Sequence, residues 1–182
     1  MQELADVGYP ALSFETVAKR AGVHKTTLYR RWGKPEGLLL EAALEFSGNG
    51  VPLPDTGSLR DDLLLLARNV AESLNSPAPQ AMLRAVVTEA KHNPELAGVA
   101  RTYWRARFRH IGEIVRRGVE RGEVSFSIDP HLVIEAMTGP MYMRALVTQE
   151  PVDDRFIEDL VDLILGAATG ESVAHVGVRE AI

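Results

Sequence analysis

The chain has 182 residues, no cysteine and a net charge of −5. That length allows one or two domains with a real core, and the missing cysteines exclude disulfides, thiolate zinc sites and cysteine nucleophiles. No apolar run approaches the roughly 18–20 residues of a membrane span, and the start MQELADVGYP carries no basic residue and does not read as a signal peptide, so a cytoplasmic protein with no membrane partner is expected.

Helical periodicity runs through nearly the whole chain. Residues 1–8 look like the end of a helix, stopped by Gly8-Tyr9-Pro10. A short helix is expected over 14–21, with Ser13 as its N-cap, and another over 25–32. A fourth covers 35–47, with Pro35 suited to a first turn. Residues 48–57 hold three glycines and two prolines, which mark a domain boundary. Beyond it Ser58 caps a long helix, whose Leu59, Leu63, Leu66, Val70 and Leu74 form a buried stripe. Residues 75–79 are expected as a loop, followed by a helix to about Lys91 that ends at His92-Asn93-Pro94. Residues 95–121 read as helical, in one or two pieces, and 122–129 as a loop. The helix over 130–148 contains Gly139-Pro140, where a kink is expected. The last helix covers 153–169, with Asp153 and Asp154 near its positive end, and the tail 171–182 has no clear period.

Charge is unevenly spread. From Thr16 to Pro35 there are six basic residues and no acid, whereas the other 14 basic residues lie beyond residue 50 among 19 acids. A basic patch on an acidic chain suggests one polyanion-binding surface. It coincides with a helix pair. Phe14, Val17, Ala18 and Ala21 share one face, Gly22 can take the left-handed conformation that ends a helix, and Val23 is expected to plug the corner. On the next helix Leu28 and Trp32 turn inward. Thr26, Thr27 and Arg30 point away, with Lys25 and Tyr29 on the flank. A short amphipathic helix with a basic, hydroxyl-rich outer side suits reading of a major groove, and the small residues at Ala18, Ala21 and Gly22 allow a tight helix-turn-helix.

The segment from Phe14 through Ala21-Gly22-Val23 and Leu28-Tyr29 to Trp32 resembles the DNA-binding signature of the tetracycline-repressor (TetR) family. Leu4-Ala5, Gly8-Tyr9, Glu36 and Leu38-Leu39-Leu40 extend the match. The stretch 139–162, with Tyr142, Arg144, Pro151 and Leu160-Val161-Asp162, is similar to the last two helices of one group of these regulators. The resemblance implies an all-α fold: a helix-turn-helix domain over 1–47, whose first helix is shown in part, then a larger ligand-binding and dimerisation domain over 58–170. It implies a double-stranded DNA operator and a homodimer formed through the last two helices. It implies base contacts from Lys25, Thr26 and Thr27, a phosphate contact from Tyr29, and base or backbone contacts from Arg30 and Arg31. Thr16 could also meet a phosphate. His24 stands where the family usually has a small capping hydroxyl, so it caps less well or touches DNA itself. Pro35 stands where a phosphate-binding lysine is common, and the role passes to Lys34.

Met82, Tyr103, Trp104, Phe108, Met137 and Met141 are the candidates for the lining of an effector pocket. An aromatic and methionine-rich cavity suits an apolar or flat, aromatic small molecule. Arg101, Arg105 and Arg109 read as a solvated face. The histidines make no metal-ligand spacing, and there is neither a Gly-rich phosphate loop nor a GxSxG. Asp61-Asp62 and Asp153-Asp154 read as helix-start acids. No catalytic residue, metal or cofactor is therefore expected. The function expected is a ligand-responsive repressor released from a near-palindromic operator. The alternative is a helical small-molecule-binding or enzymatic protein with a vestigial helix-turn-helix.

Overall fold

The structure is a computed structural model and describes residues 1–46 and 53–169. The described residues are helical apart from turns and short loops. The helices are α1 (Gln2–Val7), α2 (Phe14–Ala21), α3 (Lys25–Trp32), α4 (Pro35–Phe46), α5 (Leu59–Leu74), α6 (Pro77–Glu89), α7 (Pro94–Ile111), α8 (Glu113–Glu120), α9 (Pro130–Met143) and α10 (Asp154–Thr169). Part of the boundary expected at 48–57, and the tail, lie outside the described residues. The chain divides into two compact units that do not follow chain order: residues 1–52 with 72–110, and residues 53–71 with 111–182.

The first unit joins α1 to α4 with α6 and most of α7. Leu4 of α1, Leu39 and Ala43 of α4, Ala81 and Met82 of α6, and Leu96 of α7 are buried in one cluster. Polar groups fix its edge. The Tyr9 hydroxyl donates to Glu36 Oε1 at 2.8 Å and accepts from Asn93 Nδ2 at 2.8 Å. Asn93 also caps α7, its Oδ1 accepting from the backbone N–H groups of Glu95 and Leu96 at 3.0 Å each. Three separated segments therefore meet at one hydrogen-bonded node.

That node makes Glu36 a pH probe. Burial opposes its ionisation, but hydrogen bonds from Tyr9, its own backbone and Asn93 outweigh this and hold the carboxyl below its ordinary value of 4.5. A depressed folded-state value stabilises the protein above the unfolded value, and the contribution is lost as pH falls through the folded one. Tyr9→Phe removes the principal donor, so the carboxyl detected by carbon NMR is expected to titrate at a higher pH than in the parent. An unmoved titration curve would show that Tyr9 does not hold it.

In the second unit the stripe on α5 is buried as expected: Leu59, Leu63, Leu66 and Val70 are all inside. Ser58 caps α5, its Oγ accepting from the Asp61 N–H at 3.3 Å. Gly118 of α8 lies against Leu59 so closely that a Cβ there would come within 2.7 Å of Leu59 Cδ2. Asp62, which the sequence suggests as a helix-start acid, is fully buried. Its Oδ1 accepts from the Thr56 N–H at 2.7 Å and hydroxyl at 2.9 Å, and Arg121 lies 3.7 Å from Oδ2.

Other boundaries shift for local reasons. The α6 helix begins at Pro77, earlier than expected, because a proline at the first helical position sacrifices only an N–H that has no partner there. The piece over 95–121 breaks at Gly112 into α7 and α8. The α9 helix runs through Pro140 to Met143 and then widens into a π turn over Arg144–Thr148, which ends at Gln149 with φ 58°. Asp153 caps α10, its Oδ1 accepting from the Phe156 N–H at 2.9 Å.

Candidate DNA-binding interface

The pair α2–α3 folds as its sequence dictates. Ser13 and Thr16 form a reciprocal capping box at the start of α2. At its end Gly22 takes φ 67°, ψ 29°, a left-handed conformation that costs a glycine nothing. The N–H groups of Gly22 and Val23 both reach the Ala18 carbonyl. Phe14, Ala18 and Leu28 make the small core between the helices, with Val17, Trp32 and Leu38 packed against it. Val23 does not plug the corner: it is 44% exposed, because the turn is closed by backbone hydrogen bonds and not by a side chain.

The outer side of α3 is open. His24, Lys25, Thr26, Thr27, Tyr29, Arg30 and Arg31 are all exposed, while Leu28 between them is buried. Tyr29 is anchored edge-on against Phe14, ring centroids 4.8 Å apart, which fixes the direction of its half-exposed ring. His24 occupies the N-cap position without a side-chain cap bond, as an imidazole there was expected to. Thr16 is partly buried, and its hydroxyl already donates to the Ser13 carbonyl at 2.9 Å.

The electrostatics differ from the sequence pattern in one respect. The basic segment holds no acid, yet most of its cations have a carboxylate partner from elsewhere in the fold. Lys25 Nζ lies 3.0 Å from Glu15 Oε1, and Arg31 Nη2 lies 2.6 Å from Glu41 Oε1. Lys34 pairs with Glu95, and Arg20 with Glu3 and Asp6. The hydrogen bonds raise the ionisation of Lys25 and Lys34 above its usual value, so both stay fully charged. Among the described residues, Lys19 and Arg30 have no ion-pair partner. Sequence reasoning missed Glu15, Glu41 and Glu95 because no local spacing rule connects them to their partners.

The six pocket candidates are divided between the two units. Met82 is core of the first unit, with Tyr103 packed against the same cluster. Tyr103, Trp104 and Phe108 run as an aromatic row along α7, with centroids 5.0 and 5.4 Å apart. Met137 and Met141 are fully buried in the second unit. No helix among the described residues is long and apolar enough to cross a membrane, and no metal-binding group of acids or histidines occurs among them.

Comparisons with known proteins agree with this geometry. Residues 1–42 match the family model for bacterial regulatory proteins of the tetR family. Residues 53–164 match the model for the tetracyclin repressor-like C-terminal domain. The chain is 33% identical over 162 residues to the HTH-type transcriptional regulator AqdR of Rhodococcus erythropolis, covering 89% of this chain and 78% of that one. It is 30% identical over 178 residues to the DNA-binding transcriptional repressor TetR of Mycobacteroides abscessus, covering 91% and 87%. The crystal structure of the TetR family transcription regulator SCO0332 superposes with a TM-score of 0.76 at 31% identity, covering 90% of this chain and 91% of that one. An open, basic second helix on a buried three-residue core, found in a chain that both halves of one family describe, leads to one conclusion: this protein belongs to the TetR family of ligand-responsive, DNA-binding transcriptional regulators.

Proposed function

We propose that the protein is a repressor that holds a near-palindromic operator as a homodimer and is released from it by an apolar or aromatic effector. The observation that carries this reading is the face of α3, where Thr26, Thr27 and Arg30 are exposed around the buried Leu28. The repressor named for Mycobacteroides abscessus, 30% identical over 178 residues, supports the sign of regulation. Thr27 and Thr26 read base edges and thymine methyls, Arg30 takes a base edge or a phosphate, and Tyr29 bonds a phosphate. Lys25, Arg31 and Lys34 reach DNA by exchanging their carboxylates for phosphates. Thr16 ranks last, since its hydroxyl is committed to Ser13.

Dimerisation through α9 and α10 is supported by their outer sides. Leu132 and Met143 on α9, Val147 in the following π turn and Leu163 on α10 are large apolar residues between 49% and 65% exposed. A dimer placing two reading helices about 34–36 Å apart meets successive major grooves. The aromatic row Tyr103, Trp104 and Phe108 supplies the effector-binding side chains. An effector acts only through its different affinity for the DNA-binding and released states.

A footprint on DNA flanking the gene tests the reading, and sedimentation tests the dimer, which a strict monomer at micromolar concentration would exclude. On the footprinted site Thr27→Ala is expected to cost about 1 kcal/mol, and to cost little on a scrambled duplex. Tyr29→Phe is expected to lose about 1 kcal/mol equally on both, as the loss of a phosphate hydrogen bond should. If the two variants behave alike on both duplexes, these roles are wrong.

A further inference from the structure

Both ends of α3 are held by acids from its neighbours. At the start, Glu15 of α2 takes Lys25 at 3.0 Å. At the end, Glu41 of α4 takes Arg31 at 2.6 Å with one oxygen, and accepts the Trp32 indole N–H at 2.7 Å with the other. Arg31 also lies over the Trp32 ring, 4.6 Å from its centroid. Both acids are about half exposed, and ion pairs of that kind add little to folding stability. Their placement beside the groove-facing cations needs another account.

We propose that Glu15 and Glu41 are specificity-determining residues, internal counterions that compete with DNA phosphate for Lys25 and Arg31. This rests on the reading that α3 enters the major groove. A free cation that neutralises a phosphate releases a condensed counterion from DNA, and this release drives sequence-independent binding. A cation already paired within the protein gains much less. When it moves to a phosphate it strands a carboxylate, which must recruit a cation from solution and so cancels the release. The paired cations thus contribute little on a random sequence. Base contacts from Thr26, Thr27 and the unpaired Arg30 are untouched. On a random sequence nothing fixes the position of α3, so freed cations can settle fully on phosphates, whereas on the operator the base contacts fix α3 and its cations gain less. The acids therefore lower background affinity more than operator affinity.

The test compares the full-length parent with Glu15→Gln, Glu41→Gln and the double variant. Binding to the footprinted operator and to a scrambled duplex is titrated across a salt series. Glutamine keeps an oxygen acceptor for Trp32 and removes only the charge. Each variant is expected to tighten binding to the scrambled duplex several-fold, to steepen the dependence of log K on log salt by about 0.9 per freed cation, and to lower the ratio of operator to scrambled affinity. Unchanged salt slopes, or equal changes of affinity on both duplexes, overturn the proposal. Arg30→Ala separates the two levels of inference. If it flattens the slope while the glutamine variants change nothing, α3 binds DNA and only the counterion role fails. If Arg30→Ala changes nothing either, the groove reading fails with it.

Discussion

Phe14→Ala is expected to abolish operator binding and to cost about 3–5 kcal/mol of stability in the helix-turn-helix. Among the described residues the core between α2 and α3 consists of three buried residues, of which Phe14 is the largest. With so few neighbours, the void can close only if the helices move, and α3 is the helix that must stay in place. The ring also braces Tyr29 edge-on at 4.8 Å, so its loss frees the side chain proposed to bond a phosphate. Hydrogen exchange should show the amides of α2 and α3 losing protection while those of α9 and α10 keep theirs. Wild-type affinity for the operator in this variant would mean that the orientation of α3 is set elsewhere.

Gly118→Val is expected to destabilise the second unit by about 2–3 kcal/mol through overpacking. Two effects oppose each other here. Glycine inside a helix costs about 1 kcal/mol relative to alanine, so a replacement gains some helix propensity, less for valine than for alanine. Against this, a Cβ meets Leu59 Cδ2 at 2.7 Å and its Cβ at 3.1 Å. Leu59 has little room to retreat, because it is buried at the start of α5 and its N–H donates to Glu123 Oε2 at 2.6 Å. Alanine should therefore come out close to neutral, with the terms nearly cancelling, whereas valine adds two branches to a full space. Urea unfolding followed by circular dichroism reads the difference. A Val variant as stable as the parent would show that α8 can slide away from α5.

Local signals in the sequence were sufficient for local structure. Ser13 as a cap, Gly22 as a stop, the α5 leucine stripe and the inward Leu28 are each decided within one or two helical turns, and each stands where it was expected. Features that depend on angles between helices were not legible. Val23 is apolar, yet the backbone closes the turn without it. Asp62 resembles a helix-start acid, yet it ends up buried beneath Thr56 and beside Arg121. The segment from Thr16 to Pro35 has no acid of its own, yet the fold delivers Glu15, Glu41 and Glu95 to its cations. Met82 is picked out by composition alone, and its packing among α1, α4 and α7 could not be read from the sequence.

The proposed reading helix, α3, gives little to the interior: Leu28 is buried and Trp32 partly so, and the residues between and around them are exposed. Its exposed side can therefore drift, or be redesigned, with almost no penalty in folding. If α3 reads the operator as proposed, new operators are reachable through substitutions at positions 24–27 and 30 while the scaffold stays constant. The flanking acids set the terms of that exchange. A transplanted helix with a different pattern of cations would inherit Glu15 and Glu41 from its host, and selectivity would travel with the helix only if those two positions were changed alongside it.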